Sequence, residues 1–434
     1  MIAIIGGGIS GLTLAYNLQK KNIPYVLMEE ASVLGGCIQT DYKNNVIAEK
    51  GPNSILADEF IFDFLSDLGL DNEIILANKT IKKRFIYKGG KYRALPSGPI
   101  SLLSSSFFSW SQRIKIFKEF KNKTLSKHNS TLYDLIQSRF GNEVSDYVLD
   151  PFVTGIYAGD SKELIADLCF PVLTQNIKQY GSILKGFIKN PPKRKKTITF
   201  KKGLSQLIDT LQQRLQHIRY ETKVVALNKE GESWSLLVSS KEGEEHILCT
   251  KVVLAIPAYR AASLVRPYFP TIASLFDKVE YPLVYYVHIL FYKKQLGFQP
   301  NGFGALHPTN EKLLIAGVIW NSSVFDGRTS DDVVLLTCMI NEKRAPFIKT
   351  MSQEKIQIMV VAEIKELYSV AGHPISVTIG SWKKSIPQYN IDMVDVKDNI
   401  SYLEKENIYI LSNWPNGISI ADCIYHASEF SNIE

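Results

Sequence analysis

The chain opens with four apolar residues, Ile2–Ile5, that run straight into Gly6, Gly8 and Gly11. Few folds use three glycines at that spacing where an apolar run ends. Ile2–Ile5 suits a strand buried on both faces. The residues after the glycine turn, through Lys20, read as a helix, and "YVLMEE" as a second strand ending at Glu29 and Glu30. Each glycine then has its own reason. Gly6 permits a tight turn, Gly8 lets backbone approach a pyrophosphate, and Gly11 with Ala15 lets the helix lie close on the sheet. Ile9 and Ser10 fall in the helix's first turn, where free N–H groups and the helix dipole favour an anion. Glu29 stands 18 residues after Gly11 and can accept hydrogen bonds from a ribose diol. Strand, turn, helix, strand and acid together predict a dinucleotide site.

Bulk properties narrow the class around that site. The 434 residues are 45% hydrophobic and 21% charged, as in globular proteins of two or three domains. The net charge of +7, from 50 basic and 43 acidic residues, fits a soluble protein, or one that meets anionic partners or a membrane surface. Cys37, Cys169, Cys249, Cys338 and Cys423 are odd in number and form no Cys-x-x-Cys pair. That pattern points to a reducing, cytoplasmic setting without a disulfide framework or zinc. The opening residues show neither a signal nor a transit peptide. No apolar run reaches the roughly 18 residues of a membrane span, and "YPLVYYVHILFY" (Tyr281–Tyr292) reads as a buried strand.

Farther along, "YETKVVALNKEGESWSLLVSS" reads as strand, turn, strand, and "CTKVVLAIPAY" as a buried strand. "NIYILSNWPNGISIADCIYHA" reads as a strand, then Gly417, then a helix start. The region from Pro96 to Pro192 has apolar residues at helical spacing, and Ala261–Ile400 holds several strand-like runs. "SGPISLLSSSFFSW" and the basic "KNPPKRKKTITFKKG" are compositionally biased and are expected as surface loops. Lys193–Lys196 is too short and too poor in interleaved aromatics to indicate nucleic acid. His288, His307 and His373 have no metal-ligand spacing, so no metal is expected.

After Glu29 the chain continues to Gly35-Gly36, a spacing that resembles the extended fingerprint of the flavin amine oxidase superfamily. There the second glycine pair runs close to the FAD diphosphate. Many members follow it with Arg, Lys or Trp, where this chain has Cys37 and supplies no cation. Within the superfamily the chain resembles the FAD-dependent porphyrinogen oxidases, which act on protoporphyrinogen or coproporphyrinogen. The stretches that carry the likeness include "GPNSI" (Gly51–Ile55), "RFIYKGGKYRALPSGP", "DPFVTGIYAGDSKEL", "TFKKGLSQLIDTL", "GFGAL", "WKKSIPQY" and "NGISIADCI".

The resemblance implies an α/β fold with a discontinuous Rossmann-like FAD-binding domain (residues 1–80, 200–260 and 400–434). It also implies a mixed-sheet substrate domain (81–95 and 261–399) and a helical insertion (96–199). The FAD is expected to be non-covalent. Its partners would be Gly6, Gly8, Ile9, Ser10, Gly11, Glu29, Glu30, Gly35, Gly36, the Gly51, Pro52, Asn53 and Ser54 loop, Val224 by its backbone, and Gly417, Ile418 and Ser419. Arg84 would bind a substrate propionate through a bidentate fork, and Phe303 and Leu306 would clamp the macrocycle. Hydride would leave a saturated bridging carbon, and pyrrole nitrogens would release the protons, so no strong side-chain base is required.

That chemistry gives "DPFVTGIYAGDS" (Asp150–Ser161) a purpose without a nucleophile. Gly155 would let backbone approach a planar ring, and its carbonyl would stabilise developing positive charge. The alternative is a tight turn in which Gly155 serves only its φ angle. Molecular oxygen is the expected final acceptor. Peripheral contact with a membrane is suggested by "ISLLSSSFFSW" followed by Arg113, Lys115, Lys118, Lys121 and Lys123. Competing readings are an amine oxidase or desaturase of the same superfamily, or a non-catalytic escort protein of the same fold.

Overall fold

In the computed structural model, which describes residues 1–96, 101, 105–124 and 127–432, the opening motif builds the centre of a parallel sheet. Strand β1 (Ile2–Ile5) lies between β2 (Tyr25–Met28) and β14 (Lys251–Leu254), with Ile4 opposite both Leu27 and Val253. β10 (Ile218–Arg219) and β20 (Ile408–Ile410) flank them, giving the order β10-β2-β1-β14-β20. Helix α1 (Ile9–Lys20) runs from the end of β1. All four β1 residues are buried, which is why the run is continuously apolar rather than alternating.

Smaller sheets surround this one. An antiparallel meander of β11 (Lys223–Glu230), β12 (Ser233–Ser240) and β13 (Gly243–Cys249) comes after β10, and β3 (Thr40–Lys43) pairs with β4 (Val46–Glu49). In a third, β9 (Lys196–Phe200) lies between β5 (Ile55–Ala57) and β6 (Ile74–Leu76). This corrects the loop expectation for "KNPPKRKKTITFKKG". Residues 191–195 are irregular, but Lys196-Thr-Ile-Thr-Phe is a central strand whose Ile198 and Phe200 are fully buried. The lysines mask the β-branched and aromatic residues that favour a strand.

The second large sheet is mixed, with order β19-β15-β18-β17-β16-β7-β8. Its strands are β7 (Phe85–Tyr87), β8 (Tyr92–Ala94), β15 (Val284–Tyr292), β16 (Gly304–Leu306), β17 (Gly317–Trp320), β18 (Val333–Asn341) and β19 (Ser376–Trp382). Within this sheet β16 and β7 pair in parallel. Tyr285, Val287, Ile289 and Phe291 of β15 share a core with Ile356, Val360 and Ile364 of the helix Gln353–Leu367. Tyr286 and His288, by alternation, lie on the opposite face.

Helices α2 (Trp110–Glu119), α3 (Leu132–Phe140), α4 (Asp150–Tyr157), α5 (Pro171–Tyr180) and α6 (Ile183–Lys189) fill the stretch expected to be helical. Glu119, fully buried, organises them. Its carboxylate accepts from Arg139 at 2.9 Å, from the Ser182 hydroxyl at 2.6 Å, and from the backbone N–H groups of Ile183 and Leu184. A buried charge is tolerable only with such a full set of donors. Of the biased segment before α2, residues 97–100 and 102–104 lie outside the described residues, whereas Phe107 and Phe108 are buried rather than on a surface loop. Among the described residues no helix is long and apolar enough to cross a membrane.

Candidate active site

At the start of α1 Gly6 and Gly11 have separate structural causes. Gly6 has φ +109°, and its N–H donates to the carbonyl of Met28, so the turn leaves the sheet at once. A Cβ on Gly11 would overlap the Gly6 carbonyl oxygen. At Gly8 a Cβ would meet nothing within 4 Å, and at Gly36 it would meet only the Gly8 Cα at 3.7 Å. Between these two glycines the chain leaves open space. Gly8 is the N-cap of α1 with no side-chain cap, and the first turn holds no acid. The orphan N–H groups of Ile9, Ser10 and Gly11 are thus left for an anion.

Glu29 closes the far end of this groove. One carboxylate oxygen accepts from the Gly7 N–H at 2.7 Å and the other from the Ala31 N–H at 2.9 Å. A carboxylate has about four acceptor sites, so lone pairs remain for hydroxyls. The Glu29 carbonyl holds the Thr222 N–H at 2.9 Å, which brings the start of β11 and Val224 to the same end. Glu30 is half exposed and points to Arg260 at 3.1 Å. The Gly35 N–H donates to the Gly7 carbonyl at 2.8 Å, which fastens the Gly35-Gly36 pair to the first glycine turn. Cys37 beyond it is exposed.

Two further pieces meet at this edge of the sheet. The loop Gly51–Ser54 comes after β4 and is half-buried, and a Cβ at Gly51 would overlap the Cys37 carbonyl. Gly417, at φ +117°, leads through Ile418 to Ser419, which caps the C-terminal helix α7 (Ile420–Phe430) by accepting from the Asp422 N–H at 3.0 Å. The Gly417 N–H is held by the Tyr389 hydroxyl at 2.8 Å. α7 lies beside α1, with Asn17 bonded to Ser428 at 3.1 Å. Open groove, uncapped helix end and terminal carboxylate fit an FAD, which these residues would hold.

The second sheet faces this edge with a mostly apolar row. Leu306 lies opposite Gly317, Gly317 opposite Met339, Met339 opposite Tyr286, and Tyr286 opposite Gly380. Helix α4 packs on the β16 end of that row. A Cβ on Gly155 would stand 2.9 Å from Leu306 Cδ2, and so would one on Gly317, so Leu306 occupies a slot between two glycines. Gly155 sits inside α4 without a positive φ; the left-handed residue is Ala158, at φ 51°. Gly155 therefore does not serve a positive φ, and a Cβ there would press only on the end of the Leu306 side chain. Arg84, immediately before β7, lies with its guanidinium 5.7 Å from the Phe303 ring centroid. It is exposed, and no carboxylate among the described residues pairs with it.

Several residues that shape this wall carry no signal in the sequence. Asp150 accepts from the Thr309 N–H at 2.7 Å and from its hydroxyl at 3.0 Å, tying the start of α4 to the loop after β16. Arg344 donates to the carbonyls of His307, Pro308 and Leu313 in that loop. Gln388 donates to the Tyr157 carbonyl at 2.8 Å and fixes the other end of α4. All three act between residues far apart in the chain, which no local pattern encodes. His307 is buried, bonded to the Ile315 carbonyl at 2.7 Å, and held neutral by burial with its pKa pushed down to about 3.

Such a groove on a parallel sheet, beside a second, mixed sheet, fits an FAD-dependent oxidoreductase. Residues 9–405 match the family of flavin containing amine oxidoreductases, and the chain belongs to it. It is 27% identical to the mitochondrial protoporphyrinogen oxidase of Nicotiana tabacum over 98% of this chain and 92% of that one. It is 25% identical to the coproporphyrinogen III oxidase of Bacillus subtilis, over 98% and 95%. A solved structure from Exiguobacterium sp. 255-15, described as a candidate protoporphyrinogen oxidase, superposes with a TM-score of 0.83 at 20% identity, covering 100% of this chain and 98% of that one.

The two kinds of glycine separate by mutation. Gly8→Ala should leave the apoprotein's melting temperature unchanged and weaken FAD binding about tenfold or more, because the added methyl enters only the open groove. Gly11→Ala should instead lower the melting temperature of the apoprotein, because its Cβ collides with backbone. Calorimetry with and without flavin, together with a flavin-fluorescence titration, measures both.

Proposed function

We propose that the chain oxidises a porphyrinogen to the porphyrin, with protoporphyrinogen IX as the substrate and coproporphyrinogen III as the alternative. The observation that supports this most is full-length similarity to proteins of both names. Over three two-electron steps, three bridging carbons each lose a hydride and three protons leave the macrocycle, two from pyrrole N–H groups and one from the fourth bridging carbon. Bound FAD supplies the hydride acceptor, and molecular oxygen is the proposed final acceptor. In the same reading residues 1–80, 200–260 and 400–434 carry the cofactor, 81–95 and 261–399 the substrate, and 96–199 form the helical insertion, although β9 crosses the boundary at 199/200.

The chain's own residues would bind and exclude. Gly155, Leu306 and Phe303 offer a surface with little polar character on which a flat macrocycle rests away from water. Arg84, free of any carboxylate partner among the described residues, is the propionate anchor. Anaerobic flavin reduction with protoporphyrinogen and coproporphyrinogen side by side tests the assignment. Bleaching of the flavin band by at least one of them, and not by amines, is expected; bleaching by amines alone overturns it.

Arg84→Ala should lower kcat/KM by about 10- to 100-fold, the worth of one ion-paired hydrogen bond. The change should lie mainly in KM, because the propionate is remote from the carbon that loses hydride. FAD content should not change, and Arg84→Lys should recover only part of the loss. Wild-type kinetics for Arg84→Ala would remove Arg84 from the substrate site.

We also propose peripheral membrane contact, through residues partly different from those the sequence suggests. Phe107, Phe108 and Arg113 are buried, with the Arg113 Nε donating to the Phe108 carbonyl at 3.2 Å. Trp110, Ile114 and Phe117 instead form an exposed stripe on α2, 72%, 54% and 43% accessible, beside the exposed Lys115, Lys118, Lys121 and Lys123. The protein should co-sediment with anionic vesicles at low salt, and Trp110→Ser with Phe117→Ser should abolish this. Absence of binding at low and high salt alike removes the contact.

A further inference from the structure

Four side chains from separate parts of the chain form one file of hydrogen bonds between the flavin-side loop and the second sheet. Asn53 Nδ2 donates to the Gly51 carbonyl at 3.2 Å. Asn321 Nδ2 donates to Asn53 Oδ1 at 2.8 Å, and the Thr337 hydroxyl donates to Asn321 Oδ1 at 2.7 Å. The file ends at His288, whose Nδ1 lies 3.0 Å from Thr337 Oγ1. Asn321, Thr337 and His288 are all buried.

The direction of this file is set by its first member. A backbone carbonyl can only accept, so the Asn53 atom facing Gly51 is the amide nitrogen, and its oxygen faces Asn321. That oxygen can only accept, so Asn321 turns its own nitrogen to Asn53 and its oxygen to Thr337. The single hydroxyl hydrogen of Thr337 is committed to Asn321. Toward His288 the threonine oxygen is left as an acceptor, so Nδ1 of His288 carries the hydrogen and Nε2 carries a lone pair. Nε2 is buried and has no hydrogen-bond partner among the described residues. Desolvation pushes the His288 pKa down to about 4, with smaller and mutually opposing effects from the Asp41 carboxylate and the Lys50 ammonium. The ring is therefore neutral at ordinary pH.

We propose that Thr337 and Asn321 are positioning residues: the file they form fixes the Asn53 amide in the loop that borders the flavin and holds His288, its last member, as the neutral Nδ1–H tautomer. The inference rests on the reading that Gly51–Ser54 lines the FAD site. It needs no particular substrate. Coupling runs through four hydrogen bonds in series, each of which sets the donor and acceptor roles of the next. Strand β15 reaches the loop along this file by way of Thr337 on β18 and Asn321 just after β17.

The test uses nitrogen-15 NMR of histidine-labelled holoprotein, with His288→Gln to assign the signals. The expected spectrum shows His288 with a protonated Nδ1 and a bare Nε2, unchanged from about pH 8 to about pH 6. His307, whose Nδ1 faces the Ile315 carbonyl, provides an internal reference for that tautomer. Thr337→Val keeps the β-branched shape and deletes the hydroxyl. It should scramble the His288 tautomer and raise the FAD dissociation constant about 3- to 10-fold, the worth of one hydrogen bond. Thr337→Ser should restore both. An Nε2–H tautomer in the wild type overturns the inference, and so does an unchanged FAD affinity in folded Thr337→Val. The wild-type spectrum decides the first point even if the valine variant does not fold. Because neither readout involves a porphyrinogen, failure of the proposed oxidation and failure of this coupling are separately visible.

Discussion

The contact between Gly11 and the Gly6 carbonyl is the constraint on which the cofactor half of the molecule depends. It exists because Gly11 carries no side chain, and it brings α1 onto β1 closely enough that the helix begins at the sheet edge. From that position the unfilled N–H groups of the first turn, the Gly35 loop and the Glu29 carboxylate all face one groove. Relax the contact and the helix end moves away from the carboxylate meant to share its ligand. The electrostatics of the groove, a positive helix end and a negative acid at opposite ends, are a product of backbone packing.

The second half is held together differently. No glycine motif sets the distance between α4 and β16. Instead Asp150, Arg344 and Gln388 pin the two ends of the helix and the loop after the strand. These are polar ties around an apolar slot, and they leave the slot itself without a polar requirement. The slot of Gly155, Leu306 and Gly317 in this way has its geometry fixed by groups that stay clear of it.

What can be read from the sequence depends on the range of the interactions. The dinucleotide turn is legible because strand, glycines, helix and acid lie within 30 residues and each has a local cause. The buried strand β15 is legible from its apolar run. The file from Asn53 to His288 is not, because its members lie at positions 53, 321, 337 and 288 and each is unremarkable alone. His288 lacks metal-ligand spacing, a test that speaks to one role and is silent about another. β9 hides under a lysine run, where composition points to solvent although Ile198, Thr199 and Phe200 beyond it are fully buried. At Gly155 the residue type leaves open what the glycine is for, and the structure removes only a positive φ. The helix around it and the left-handed Ala158 that ends it have no signal in a stretch without a C-terminal glycine at that place.

The order of strands in the parallel sheet carries a consequence for how the protein comes into being. β1 and β2 are made first, β14 some 220 residues later, and β20 with α7 only at residues 408–430. A ribosome therefore makes the first 407 residues before the strand that borders β14 and the helix that lies beside α1 exist. Until then β14 has an open edge and α1 an uncovered flank, the kind of surface that recruits chaperones or other chains. Such long-range pairing makes for slow folding, and a nascent chain cannot hold its flavin in a finished site. Cofactor supply and the synthesis of residues 408–430 are thus coupled in time, and a truncation that removes α7 should be felt first as loss of colour.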